Sequence, residues 1–188
     1  MIIAIKEKDR VVIGYTNLDF WTNLSDKDYI DEENVAINLS RAGKVFAFAK
    51  MDKSTQILFY DESLLNVEIS PKNIVRQVIP YIKVQLQKGG ECDDKNKWDN
   101  ALLICDDLHV YCIGPTFNFV EASDYVCYGR AEKDNVLSVL DQTTELSAEE
   151  RIKEAIRFTS KLRKESLYPF VITDTKTRKV KIINEGEN

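Results

Sequence analysis

A single histidine, four cysteines and a serine beside an aspartate are the side chains of this 188-residue sequence that suggest base or nucleophile chemistry. His109, in the segment LHVYC, would be the base of any hydrolase that uses an imidazole, but its alternating apolar surroundings read as a strand with the ring satisfied by local hydrogen bonds. Ser123 and Asp124 in EASDY offer a nucleophile and an acid without a base, and turn formation explains both. Cys92, Cys105, Cys112 and Cys127 form no CxxC pair. The last three sit among Leu, Val, Ile and Tyr and read as reduced packing residues, since a free cysteine behaves as a small hydrophobe. Cys92 lies in the polar stretch GGECDDKNK and is the candidate reactive thiol, with no base near it in sequence. The acidic run Ser25 to Glu33 reads as a solvated loop, because carboxylates in a row do not by themselves converge on a metal ion. These residues make no catalytic set, no metal site and no cofactor site.

Composition narrows the partners. A net charge of −5 and a pI near 5.1 argue against nucleic acid, which needs concentrated Lys and Arg. No stretch reaches the roughly 20 apolar residues that span a bilayer, and the start MIIAIKEKDR turns charged before a secretory apolar region develops, so a cytoplasmic protein without membrane partners is expected. With 44% hydrophobic residues the chain can bury one sizeable core, and residues 1–188 read as a single domain without repeat or linker.

The elements alternate in groups. Ile2 to Lys6, a polar turn, and Val11 to Ile13 predict an opening hairpin; Val35 to Leu39 and Lys44 to Ala49 predict a second around Arg41-Ala42-Gly43. Asp52 to about Asn66 carries apolar residues at three- and four-residue spacing and reads as a helix, with QILFY as a rival strand. Ser70 caps the next helix, Pro71 takes its first position, and Ile74, Val75, Val78, Ile82 and Leu86 share a face that Pro80 should kink. Ala101 to Cys105, Leu108 to Ile113, Phe117 to Val120 and Tyr125 to Tyr128 read as consecutive antiparallel strands. A helix through Val136, Val139 and Leu140 follows, then one opened by the Ser147–Glu150 capping box with a stripe of Ile152, Ala155, Ile156, Thr159 and Leu162. Phe170 to Thr173 and Val180 to Ile183 close the chain as strands. The fold class is therefore α+β, a four-layer αββα sandwich of two stacked antiparallel sheets flanked by helix pairs.

That order, with IIAIKEKDRVVIG as opening hairpin, KVFAFA before the first helix, ALLICDDLHVYCIGP as central hairpin, SDYVCYGRA and LDQTTELSAEERIKEAI, resembles the proteasome β-subunit and bacterial HslV branch of the N-terminal nucleophile hydrolases. The resemblance runs over nearly the whole chain and implies a site whose nucleophile is the hydroxyl of the first residue, with that residue's own amine as general base. The supporting lysine works by disfavouring a second positive charge on the amine. Carried over, the threonine falls at or just before Met1 and Ile2, the aspartate near Thr16, the lysine near Val35 or Ala36, and the serine in the turn at Gly129 and Arg130. None of the four roles is filled, and Arg130 replaces a small turn residue. The family's inactive α-subunits carry an additional helix ahead of the first strand, so a β-like pseudoenzyme is implied.

Tyr15, Phe20, Trp21 and Tyr29 lie where the family lines its substrate cleft, as core, subunit interface or ligand contacts. The expected function is an inactive proteasome-like protein acting by assembly as a homo-oligomer or with related subunits. The alternatives are a peptidase or amidohydrolase with an unrecognised nucleophile such as Cys92, and a sensor that binds a ligand or peptide in the vestigial cleft.

Overall fold

The computed structural model describes residues 1–16, 37–39, 44–49, 52–59, 61–65, 67–92, 97–128, 133–164 and 166–186. Its first two strands, β1 (Ile2–Lys6) and β2 (Val11–Tyr15), form an antiparallel hairpin with Ile2 opposite Tyr15 and Lys6 opposite Val11. Alternation sends Ile2, Ala4, Val11 and Ile13 into one core and Ile3, Ile5 and Val12 into another. A hairpin buried on both faces has no polar stripe, which accounts for the near-continuous apolar runs IIAI and VVIGY.

β3 (Ile37–Leu39) pairs with β4 (Val45–Phe48), as the sequence predicts; the turn at 41–43 lies outside the described residues. The single helix expected over 52–66 is instead two short ones, α1 (Lys53–Phe59) and α2 (Glu62–Leu65). Each has its own aspartate cap: Asp52 accepts the Thr55 N–H at 3.0 Å, and Asp61 accepts the Ser63 N–H at 2.9 Å. The rival strand reading of QILFY is thereby ruled out.

Ser70 caps α3 (Pro71–Asn73) by accepting the Asn73 N–H at 3.2 Å, and a π-helical turn over Ile74–Val78 leads into α4 (Ile79–Gly89). Pro80 has no N–H to donate, and its ring would meet the carbonyl four residues back. The wider π turn, in which the Ile79 N–H reaches the Ile74 carbonyl, accommodates it. Val75, predicted for the buried face, is 52% exposed, because Ile74, Val78, Ile82 and Leu86 already complete that stripe one position away.

β5 (Leu102–Cys105), β6 (Val110–Ile113) and β7 (Phe119–Glu121) continue the second sheet in the order β3-β4-β5-β6-β7. β8 (Tyr125–Tyr128) does not. Instead of pairing with β7 it crosses to β1, with Ile2 opposite Tyr128, and Ser123 and Asp124 form the bend between the sheets. The Lys6 N–H donates to the Asp124 carbonyl at 2.7 Å and fixes that crossing. With β9 (Phe170–Asp174) and β10 (Lys181–Ile183) the first sheet runs β10-β9-β2-β1-β8.

Between β8 and β9 lie α5 (Lys133–Gln142) and α6 (Ala148–Arg163), packed on the outer face of the first sheet. The capping box is present: Glu150 N–H to Ser147 Oγ at 3.3 Å, and Ser147 N–H to Glu150 Oε2 at 3.1 Å. Glu7, from the β1–β2 turn, accepts the Ala148 N–H at 3.0 Å and joins that hairpin to the start of α6. Leu162, expected in the α6 stripe, is 50% exposed, since it lies at the edge of the face centred on Ile152, Ile156 and Thr159. The result is an α+β sandwich of two antiparallel sheets with helices on both outer faces.

Close approach of α6 to β2 depends on Gly14: a Cβ there would stand 2.3 Å from Ile152 Cγ2. Gly14→Val is expected to cost ~1–3 kcal/mol in urea unfolding, and combining it with Ile152→Ala should cost less than the two changes summed. A second tie links α6 to β10, where Lys181 Nζ donates to Glu149 Oε1 at 2.6 Å. Lys181 first, and then Lys153, hold the Glu149 carboxyl below its usual range. Its stabilising contribution is therefore complete above the unfolded value of about 4.3 and is lost as the pH falls through the depressed one. Lys181→Ala should lower Tm at pH 7, and the gap from the unaltered protein should narrow toward pH 3.

Candidate functional site

At the head of β1 the Met1 α-amine donates to the Thr16 carbonyl at 2.7 Å, and the Thr16 N–H returns a bond to the Met1 carbonyl at 2.9 Å. This reciprocal pair extends the β1–β2 ladder by one step. Ile2 and Thr16 are buried, Tyr15 is 3% exposed, and Tyr128 stands opposite Ile2 on the other side. The structure thus brings Met1, Ile2, Tyr15 and Thr16 together at one end of the first sheet. Gly129 and Arg130 directly follow Tyr128, and Val35 and Ala36 directly precede β3; these four, with Phe20, Trp21, Tyr29 and the acidic run 25–33, lie outside the described residues.

Chemically, this end of the sheet is bland. Met1 contributes a thioether and Ile2 a hydrocarbon, so neither side chain has a proton to give up or an oxygen to attack with. Burial, with the Cys112 thiol and Asp99 nearby, raises the Tyr128 phenol, which stays protonated.

The other candidate residues fall elsewhere. His109 is not in a strand but in the β5–β6 turn, its Nδ1 3.0 Å from Asp106 Oδ1 and its ring stacked on Tyr111 at 5.5 Å. Asp106 also accepts the N–H groups of Leu108 (2.8 Å) and His109 (2.7 Å), the bonding of an aspartate-led turn. Lys44 lies beside Asp106; burial pushes its ammonium down against the pull of Asp106 and Glu68, and its Nζ donates to the Val67 carbonyl at 2.7 Å. Cys92 is half-buried and packs against the larger core instead of standing out in its loop. None of the four cysteines is in a disulfide, and burial raises Cys105 and pushes Cys112 up to about 11.

Sequence reasoning missed one polar constellation, at the start of α1. Ser54 Oγ donates to Asp52 and accepts the Trp98 indole N–H at 2.7 Å, while Asn100 Nδ2 reaches Thr55 Oγ1 at 3.0 Å and Asp52 Oδ2 at 3.2 Å. Ser54, Thr55, Trp98 and Asn100 are at most 1% exposed, so no substrate reaches this hydroxyl and the network acts as a latch between α1 and β5. Its only linear signal is the capping pattern of Asp52 with Ser54 and Thr55. A cavity of about 410 Å³ opens beside α6 on the flank toward β10, lined by Leu146, Lys153, Tyr168 and Ile183 among others, and none of the residues at the head of β1 lines it. Among the described residues no group of three His, Cys, Asp or Glu is placed to hold a metal, and no helix is long and apolar enough to cross a membrane.

No protein-family model and no curated protein matches the sequence. Solved structures do. The Thiobacillus denitrificans bacterial proteasome homologue in complex with epoxomicin superposes with a TM-score of 0.72 at 15% identity, over 92% of this chain and 96% of the homologue. Without epoxomicin the same homologue gives 0.68 at 15% identity over the same shares. Anbu, an ancestral β-subunit from Yersinia bercovieri, gives 0.63 at 13% identity, over 99% of this chain and 87% of that one. The chain has a proteasome-like fold. At these identities the likeness is one of fold, and it agrees with the order of elements from which the sandwich was expected.

In this proteasome-like sandwich the thiols are packing groups. A colourless-to-yellow thiol reagent at pH 8 should therefore label Cys92 ahead of the other three, with Cys105 and Cys127 reacting only at the rate of global unfolding; equal labelling of all four in the native protein would contradict this.

Proposed function

We propose that residues 1–188 form a proteasome-like protein that does not cleave peptides and acts by assembly, with copies of itself or with related subunits. The observation that carries the reading is the head of β1. Amide cleavage by an N-terminal nucleophile needs a hydroxyl or thiol and a free amine on one residue, because the amine takes the proton as the side chain attacks. Here Met1 and Ile2 occupy that end of the strand, and the Met1 amine spends a hydrogen bond on the Thr16 carbonyl. The supporting roles point the same way in sequence: Thr16 stands for the aspartate, Val35 and Ala36 for the lysine, and Gly129 and Arg130 for the serine turn. Tyr15 is a core residue and leaves that role, while Phe20, Trp21 and Tyr29, by sequence, then serve contacts between subunits or with a bound peptide. Four cysteines outside any disulfide suit a reducing compartment, and we place the protein in the cytoplasm.

The Thiobacillus homologue was captured with epoxomicin, which supplies a direct probe. Intact-mass measurement of this protein after prolonged incubation with epoxomicin should show no adduct, and a panel of fluorogenic peptides should show no turnover. An adduct on the first residue, or peptide turnover abolished by Cys92→Ala, would overturn the proposal. Light scattering behind size exclusion should give a mass above that of one chain.

A further inference from the structure

The cavity of about 410 Å³ beside α6 is assembled from four separate stretches of chain. Glu150, Lys153, Glu154 and Arg157 recur at three- and four-residue spacing and so stand on one stripe of the helix. Leu146 closes the cavity from the α5–α6 turn, Ile183 from the end of β10, and Tyr168 from the segment that leads into β9. Two bonds tie those walls to the helix: the Leu167 N–H donates to Ser160 Oγ at 3.2 Å, and Lys181 Nζ donates to Glu149 Oε1 at 2.6 Å. The volume falls in the range of pockets that enclose small organic ligands, ~300–1,000 Å³.

Apolar surface comes from Leu146, the buried Ile183 and the ring of Tyr168, which packs on Phe170 at 5.2 Å. The charged lining groups cancel in number but not in hydrogen-bonding capacity. Glu150 is engaged in the cap of α6, where its Oε2 accepts the Ser147 N–H at 3.1 Å and the Ser147 hydroxyl at 2.7 Å. Both oxygens of Glu154 lie 2.9 Å from Arg157 Nη2. The cations have more to offer, since an ammonium carries three N–H donors and a guanidinium five. Lys153 is 3.1 Å from Glu149 Oε1, an oxygen it shares with Lys181, and Arg157 meets Glu154 through one nitrogen. Tyr168 adds a hydroxyl: burial raises the phenol against the opposing pull of Arg157, so it stays protonated and can donate. The cavity thus presents donors beside carboxylates that already have partners.

We infer that this cavity binds a small organic carboxylate with an apolar body, its carboxylate held by Lys153 and Arg157 with the Tyr168 hydroxyl as a third donor, and its hydrocarbon laid against Leu146 and Ile183. One negative charge suits the lining, because a dianion such as a phosphate ester would face Glu150 and Glu154. A cationic amine, by contrast, finds both carboxylates engaged. Occupancy joins α6 to β10 and to the segment before β9, so the ligand stabilises the native chain. All the groups lie within one chain, and the inference stands whether or not the protein assembles.

The test titrates three carboxylates of this class, indole-3-acetate, 4-hydroxyphenylacetate and octanoate, into the full chain by calorimetry and by protein NMR. Indole-3-acetamide and tryptamine serve as the uncharged and cationic counterparts of the first. At least one carboxylate should saturate a single site with a Kd of about 1 mM or tighter and raise Tm, and the amide and the amine should bind about tenfold more weakly or not at all. Arg157→Gln, on the exposed side of the helix, should weaken binding by about tenfold or more through loss of a charge-assisted bond. Leu146→Trp, which fills the cavity and leaves every charge in place, should abolish binding, and circular dichroism reports whether each variant keeps its fold. Failure of all three carboxylates to saturate at concentrations on the order of ten times that Kd overturns the inference. So does binding that the amide or the amine matches, or that either folded variant leaves undiminished.

Discussion

The β1–β2 hairpin is buried on both faces, and the rest of the sandwich is arranged around that fact. Ile2, Ala4, Val11 and Ile13 face the second sheet, while Ile3, Ile5 and Val12 face α5 and α6. A strand pair with no polar face must be covered twice, so one sheet and one helical layer are required of the remaining sequence. The pair also fixes where its neighbours go: β8 can add only at the free edge of β1, and β9 only at the free edge of β2. Contact is close enough that a glycine at position 14 is needed under Ile152.

Polar contacts then choose among the ways of covering it. Glu7 reaches from the hairpin turn to the first N–H of α6, so the helix starts where the hairpin ends. Asp52, Ser54, Thr55, Trp98 and Asn100 tie the start of α1 to the entry of β5 through buried bonds from Trp98 and Asn100 to Ser54 and Thr55 and part-buried ones to Asp52. Buried donors left without acceptors would cost about 1–3 kcal/mol each, so this network discriminates strongly against helix positions that break it.

Under the proposed function, what stands at the end of one strand separates cleavage from assembly. A scaffold that cuts amides with its own terminus is catalytic or not according to a single residue, because amine and nucleophile are covalently one unit. Most of what makes the fold, including the capped helices and the crossing at Asp124, is built by residues other than that one. Fold and chemistry can therefore separate in such a scaffold.

The sequence by itself determined the element types, because periodicity and capping are local: strands β1 to β10, the Ser70 and Ser147 caps and the α+β class follow from residues close together in the chain. It also decided which side chains exist at the head of β1. Only the tertiary structure decided that β8 leaves its sequential neighbour for β1, that one expected helix breaks at Asp61, and that Pro80 is met by a π turn. It alone exposed Val75 and Leu162 and joined Asp52 to Asn100. Those outcomes turn on which surfaces compete for cover across separations of up to a hundred residues or more, and a linear pattern of hydrophobicity carries no term for that competition.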